Sequence, residues 1–221
     1  MSSIARFIDH TRLKPDTTPA DIRQLCQEAR RFGFATVCVN SGYVGLAARF
    51  LRSSGVGVCA VVGFPLGAMA TEVKVAETRY AVRQGASEID MVMNIGLFKA
   101  GRFGAVKEDI QAVKRAAGRR VVKVIIETGL LSAAEKVRAA GLVMAGGADF
   151  VKTSTGFGPG GATVEDVALL AKAVKGKIGV KAAGGIRTLA QAGALIAAGA
   201  SRLGTSAGVA IVLEELNGKK S

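Results

Sequence analysis

The chain has 221 residues, 49% of them hydrophobic, with 29 glycines and a formal charge of +13; that length and apolar content suit one domain over residues 1–221, as large as a single α/β barrel. Cys26, Cys38 and Cys59 lack the spacing of a disulfide framework or a metal site, and no apolar run is long enough to cross a membrane. The positive charge favours anionic partners, but its carriers are dispersed (Arg30-Arg31, Lys114-Arg115, Arg119-Arg120, Lys219-Lys220) without basic–aromatic interleaving, which reads as solvated helix faces and not as a nucleic-acid surface.

The first residues, MSSIARFIDH, lack the apolar core of a signal peptide, so a reduced, cytoplasmic setting is expected. A short first strand covers Phe7 to Thr11. Thr18 then caps a helix with Pro19 at its first position, and Gly33 stops it. The second strand is Ala35 to Asn40, followed by a helix to about Ser54. The third is Val58 to Phe64, closed by Pro65-Leu66-Gly67, and a helix runs from Ala70 to Gln84. The fourth is Glu88 to Asn94, with a helix from Val106 to Ala117. The fifth is Val121 to Thr128, after which Ser132 and Glu135 form a capping box. The sixth is Phe150 to Thr155, with Thr163 and Asp166 opening the next helix. The seventh is Gly179 to Ala183, and the eighth Arg202 to Thr205, each followed by a helix.

Eight strand–helix units in succession fit a single (β/α)8 TIM barrel with an extra N-terminal helical segment. An open doubly wound sheet is the alternative, but no G-x-G-x-x-G follows the first strand, so dinucleotide binding has no support. A weak repeat strengthens the barrel reading. Gly33, Gly85, Gly147 and Gly199 each launch a strand, and five residues on from each lie Cys38, Asp90, Lys152 and Gly204. Equivalent units would set these four at one height, facing one way.

Strands buried on both faces usually read as unbroken apolar runs, yet charges interrupt several here. Asp90 lies in the fourth, Lys123 and Glu127 in the fifth on one face, Lys152 in the sixth and Lys181 in the seventh. An internal salt-bridge network that only holds strands in register is one reading. The other is a reactive centre at the C-terminal mouth of the barrel. A lysine attacks a carbonyl only as the free amine, and a second cation with partial burial favours that form. Lys181 is placed to do this for Lys152, and Asp90 to move protons, directly or through water. Two lysines and a carboxylate suffice for class I aldol chemistry, with the iminium as electron sink and neither metal nor cofactor required. His10, the sole histidine, has no ligand cluster around it and reads as structural. The glycine-rich loops Ala183-Gly184-Gly185-Ile186-Arg187 and Gly204-Thr205-Ser206, with Gly156, offer bare amides for a phosphate. Arg187 either reaches that phosphate or points into solvent.

The motifs IDHTRLKP (Ile8 to Pro15), VVGFPLG (Val61 to Gly67), EIDMVMNIG (Glu88 to Gly96), VKVIIETG (Val122 to Gly129), ADFVKTSTGFG (Ala148 to Gly158), VKAAGGIRT (Val180 to Thr188) and RLGTSAG (Arg202 to Gly208) together resemble the deoxyribose-phosphate aldolase family. The resemblance implies reversible cleavage of 2-deoxyribose 5-phosphate to acetaldehyde and glyceraldehyde 3-phosphate, in deoxyribose phosphate catabolism. It implies that Lys152 is the Schiff-base lysine, Lys181 its deprotonating neighbour and Asp90 part of the proton relay. It also implies that Gly156, Gly184, Gly185, Gly204 and Ser206 hold the phosphate, that Asp9 and Thr11 line the sugar end with Cys38 nearby, and that the protein is a homodimer or homotetramer. Phe157 and Ala207 stand where some members carry a lysine and a second serine. The phosphate contacts are therefore less closely matched than the catalytic set. Another barrel lyase or isomerase acting on a small sugar phosphate through the same phosphate cradle is the competing enzyme reading.

Overall fold

A computed structural model describes residues 4–218; Lys219-Lys220 lie outside the described residues. In chain order the elements are β1 (Ile8–Arg12), α1 (Pro19–Phe32), β2 (Thr36–Asn40), α2 (Val44–Phe50), β3 (Gly57–Val62), α3 (Thr71–Arg83), β4 (Glu88–Val92), α4 (Ile95–Lys99), α5 (Phe103–Ala117), β5 (Val121–Ile125), α6 (Ala133–Ala145), β6 (Phe150–Lys152), α7 (Val164–Val174), β7 (Gly179–Ala183), α8 (Leu189–Ala197), β8 (Arg202–Thr205) and α9 (Gly208–Gly218). The eight strands pair in parallel, each with its neighbours in sequence, and β8 closes on β1. This is the expected (β/α)8 barrel. The extra N-terminal helical segment is a single 3-10 turn, Ile4–Phe7, whose Ile4 and Ala5 are buried.

Local chemistry sets the helix limits as the sequence predicts. Thr18 caps α1 in a reciprocal box with Asp21, Pro19 fills the first turn, and Gly33 ends the helix at φ 70°. Ser132 and Glu135 form the same box on α6, and the Thr163 hydroxyl accepts from the Asp166 amide. The strands are buried on both faces. Outward residues such as Val37, Ile89, Val124, Val151 and Val180 pack beneath the helices, each less than one-twentieth exposed.

Two expectations fail locally. The loop after β4 holds a short helix, α4, capped by the Asn94 side chain accepting from the Leu97 amide. Gly96 within it hides this helix from a propensity reading. The fifth strand also ends early, at Ile125, and Glu127 takes a left-handed conformation at φ 54°. Lys123 and Glu127 therefore do not share a strand face. The Glu127 carboxylate leaves the barrel interior and accepts from the Thr155 amide at 3.2 Å and hydroxyl at 2.5 Å.

The outer layer contains a buried ion pair that no strand pattern announces. Lys74 on α3 is fully buried; its ammonium meets Asp109 of α5 at 2.6 Å and the Val92 carbonyl at 3.0 Å. Asp109 also accepts from the Thr71 hydroxyl at 2.8 Å. Removing one partner strands the other charge away from water. Asp109→Ala is therefore expected to destabilise the fold by about 3–5 kcal/mol, read as a lowered midpoint in denaturant unfolding.

Candidate active site

The barrel register decides which side chains meet. Paired residues on neighbouring strands point to the same side. Asp90 pairs with Lys123, Lys152 with Lys181, Cys38 with Cys59, and Asp9 with Gly204. The even strands thus place Cys38, Asp90, Lys152 and Gly204 in one inward layer, the set inferred from the repeat. The odd strands place Asp9, Cys59, Lys123 and Lys181 against it. Two residues nearer the N-terminal end, Glu88, Phe150 and Arg202 also face inward. Branched apolar side chains usually fill such layers; here charged groups do.

Those charges close into a ring. Asp90 Oδ1 binds Lys123 at 2.8 Å, and Lys123 reaches Glu88 at 2.5 Å. Glu88 accepts from Arg202 at 3.1 Å, and Arg202 reaches Asp9 Oδ1 at 2.7 Å. Asp9 Oδ2 binds Lys181, which returns to Asp90 Oδ2 at 2.7 Å. Negative and positive groups alternate around the whole circuit. Lys152 stands outside it, held at 2.8 Å from the same Asp90 Oδ2 that Lys181 uses.

Burial disfavours each charge, and the neighbours of opposite sign outweigh it. Asp90 is held well below the usual carboxylate range by Lys123, Lys152 and Lys181. Asp9 is likewise lowered by Lys181, Lys123 and Arg202. Lys181 is raised above the ordinary lysine range by Asp9 and Asp90, and Lys123 by Asp90 first among its partners. Asp9, Asp90, Lys123 and Lys181 are all fully buried. Beside them Cys59 donates to Asp90 Oδ1 at 3.1 Å. Cys38, Cys59 and Asp90 bring possible ligand atoms within 4.8 Å of one another. A cation there would share Asp90 with three ammonium groups, which makes the cluster a poor metal site.

Lys152 opens onto a cleft of about 480 Å³ at the C-terminal mouth. Thr11, Gly156, Gly184, Gly185, Arg187, Gly204 and Ser206 line the same cleft, so nearly all the expected binding residues converge on it. Asp9 does not: it lies beneath the cleft floor, occupied by Lys181 and Arg202. Gly184 and Gly185 adopt left-handed backbone at φ 95° and 79°. A Cβ on Gly204 would sit 3.1 Å from Lys181 Cε, so glycine there makes room for that side chain. The Thr205 hydroxyl ties the two loops together, donating to the Ile186 carbonyl at 2.6 Å and accepting from the Ala207 amide at 2.9 Å. Phe157 forms part of one wall, edge-on to Phe64 at 5.3 Å.

His10 stays outside this arrangement. It is buried, bonded to Glu28 at 2.7 Å and tilted against Phe34, and burial draws it below the ordinary histidine value. Arg12 and Lys14 at the cleft mouth, and Glu88 and Arg202 below it, are site residues that the sequence reading missed. Strand alternation carried the signal for the last two: Glu88 precedes Asp90, and Arg202 precedes Gly204, by two positions.

Residues 4–214 match the family model described as DeoC/LacD family aldolase. A deoxyribose-phosphate aldolase of Halalkalibacterium halodurans is 55% identical, over 99% of this chain and 97% of its own. Deoxyribose-phosphate aldolase 1 of Bacillus licheniformis is 57% identical, over 95% of this chain and 94% of its own. Among solved structures, a putative deoxyribose-phosphate aldolase of Coccidioides immitis superposes with a TM-score of 0.95 at 46% identity, covering 96% of this chain and 85% of that one. The Aeropyrum pernix deoxyribose phosphate aldolase, a tetramer, superposes at 0.88 with 35% identity, covering 97% and 91%. With its parallel barrel closed and residues 4–214 matched, this chain belongs to the DeoC/LacD family of aldolases.

Proposed function

We propose that this protein is a class I aldolase that reversibly cleaves 2-deoxyribose 5-phosphate into acetaldehyde and glyceraldehyde 3-phosphate, with Lys152 as the nucleophile. One observation carries the assignment of the nucleophile. The alternating ring balances three carboxylates with three cations, and Lys152 is the ammonium left over. With Lys152 as a free amine the buried network is neutral, and Lys152 alone of the three lysines on Asp90 lines the cleft.

The amine adds to the aldehyde carbon of the open-chain sugar, and loss of water leaves an iminium at C1. The C3 hydroxyl gives up its proton as the C2–C3 bond breaks, and the bond's electrons pass into the iminium as an enamine. Glyceraldehyde 3-phosphate departs. Protonation of the enamine at C2 and hydrolysis release acetaldehyde and restore the amine. Asp90, in contact with Lys152 and Lys181, is the carboxylate of the proton relay, acting through water to reach the substrate carbons. Lys181 remains a cation throughout and disfavours a second positive charge beside it. The iminium is the electron sink, so this route needs no metal or other cofactor.

The far end of the cleft suits a phosphate. Gly156, Gly184, Gly185 and Gly204 bring bare backbone to its wall, with Ser206, Arg187, Arg12 and Lys14 at the rim. Thr11 lies at the sugar end, and Asp9 acts from below by fixing Lys181. We read the chain as one barrel domain over residues 1–221, working as a homodimer or homotetramer. Three free buried cysteines support a reducing, cytoplasmic setting, and no helix among the described residues is long and apolar enough to cross a membrane.

Borohydride reduction in the presence of 2-deoxyribose 5-phosphate should leave an adduct on the peptide containing Lys152, and Lys152→Ala should abolish it in a folded chain. A reduced adduct on a different lysine would overturn the site. Lys181→Leu should lower turnover at neutral pH on the order of 100-fold and move the pH–rate profile to higher pH; an unmoved profile would remove its proposed part. Arg187→Ala and Ser206→Ala should raise KM for the phosphorylated sugar by roughly 10-fold while sparing unphosphorylated deoxyribose. Steady-state kinetics on both sugars distinguishes this from a general loss.

A further inference from the structure

Glu88 and Arg202 occupy the N-terminal end of the barrel interior. They line no part of the cleft, and neither is hydrogen-bonded to Lys152. Arg202 binds Asp9 Oδ1 at 2.7 Å and Glu88 through both terminal nitrogens, with its guanidinium over the Phe150 ring at 5.7 Å. Two arms leave this pair. Glu88 passes to Lys123 and then to Asp90 Oδ1. Asp9 passes to Lys181 and then to Asp90 Oδ2. Both arms end on the carboxylate that holds Lys152.

Building on the Schiff-base reading above, we propose that Glu88 and Arg202 are positioning residues whose charges set, through this ring, the pH range over which Lys152 acts as a nucleophile. In a water-poor interior charges are weakly screened, so they must balance. Without the Arg202 charge the ring keeps three carboxylates and two cations, and a cationic Lys152 restores neutrality. Without the Glu88 charge the ring has one cation in excess, and a further cation at Lys152 is disfavoured. Lys152 is bonded to Asp90 of β4; around that carboxylate stand Lys123 of β5, Lys181 of β7, Cys59 of β3 and Cys38 of β2, with Asp9 of β1 on Lys181. Arg12 and Lys14 stand at the cleft mouth. Changing Glu88 or Arg202 alters none of these residues themselves. A scaffold role alone would make both substitutions harmful in the same sense; a charge role makes them opposite.

The test is trapping of acetaldehyde on Lys152 with cyanoborohydride, followed by intact mass from about pH 6 to about pH 10. Glu88→Gln, which keeps the shape and one accepting oxygen while removing the charge, should move the midpoint of trapping to lower pH on the order of one unit. Arg202→Met should move it to higher pH by a similar amount. The double variant should return towards the wild type. Arg202→Lys keeps the charge without the fork, and should keep the wild-type midpoint at a reduced trapping rate. If Arg202→Met fails to fold, the Glu88→Gln and Arg202→Lys pair still decides the matter. Glu88→Gln and Arg202→Met midpoints that move in the same direction, a Glu88→Gln midpoint that stays fixed while its rate falls, or an Arg202→Lys midpoint that moves as far as that of Arg202→Met would overturn the proposal. A wild-type chain that traps nothing on Lys152 would instead overturn the aldolase reading on which the proposal rests.

Discussion

Seven acidic and basic side chains share the inside of this barrel, where water scarcely reaches, and their charges must cancel. That requirement shapes the structure more than any single contact. An unpaired buried ion costs several kcal/mol even after relaxation, so each carboxylate here is shared between cations and each ring cation between carboxylates. The ring satisfies six groups and leaves Lys152 dependent on Asp90 alone. Because Asp9 and Asp90 are held far below their ordinary range and Lys123 and Lys181 above theirs, the ring's contribution to stability is complete between about pH 4 and about pH 10, and is lost as the pH falls towards the folded values of the carboxylates or rises towards those of the lysines.

The barrel achieves this by register. Alternate strands present their inward residues as layers, so residues far apart in the chain, such as Asp9 and Lys181, meet without any local sequence relation. The smaller residues are equally determined. Gly204 leaves space for the Lys181 stem, and Thr205 fastens the loop after β7 to the one after β8. Glu127 gives up its place in the sheet to brace Thr155, whose hydroxyl in turn accepts from the amides of Phe157 and Gly158. The cleft wall near Gly156 is therefore built from a carboxylate on the neighbouring strand's loop.

Much of this was legible in the sequence. Caps and breakers marked α1, α6 and α7, and the eight-fold alternation gave the barrel. Charges at Asp90, Lys152 and Lys181 stood out because buried strands have no ordinary use for them. The glycine-anchored repeat placed Cys38, Asp90, Lys152 and Gly204 in one layer, as the fold has them. What was hidden depended on closure. Glu88 and Arg202 sit at strand beginnings, where a charge reads as solvent-exposed until β8 is known to pack against β1. The Lys74–Asp109 pair joins two helices whose facing sides are fixed only by the sheet between them. Glu127 was misread because a strand pattern does not show where the backbone turns left-handed.

Lys123, Lys181, Asp9 and Asp90 are closed off from solvent, and Lys152 stands between them and the cleft. On the Schiff-base reading proposed above, a sugar bound covalently to Lys152 would close this chamber like a stopper in a small flask. Run in deuterium oxide, the protein would exchange the hydrogens of its buried ammonium groups more slowly with the sugar seated than without it, and the ratio of the two rates would measure how tightly the stopper fits.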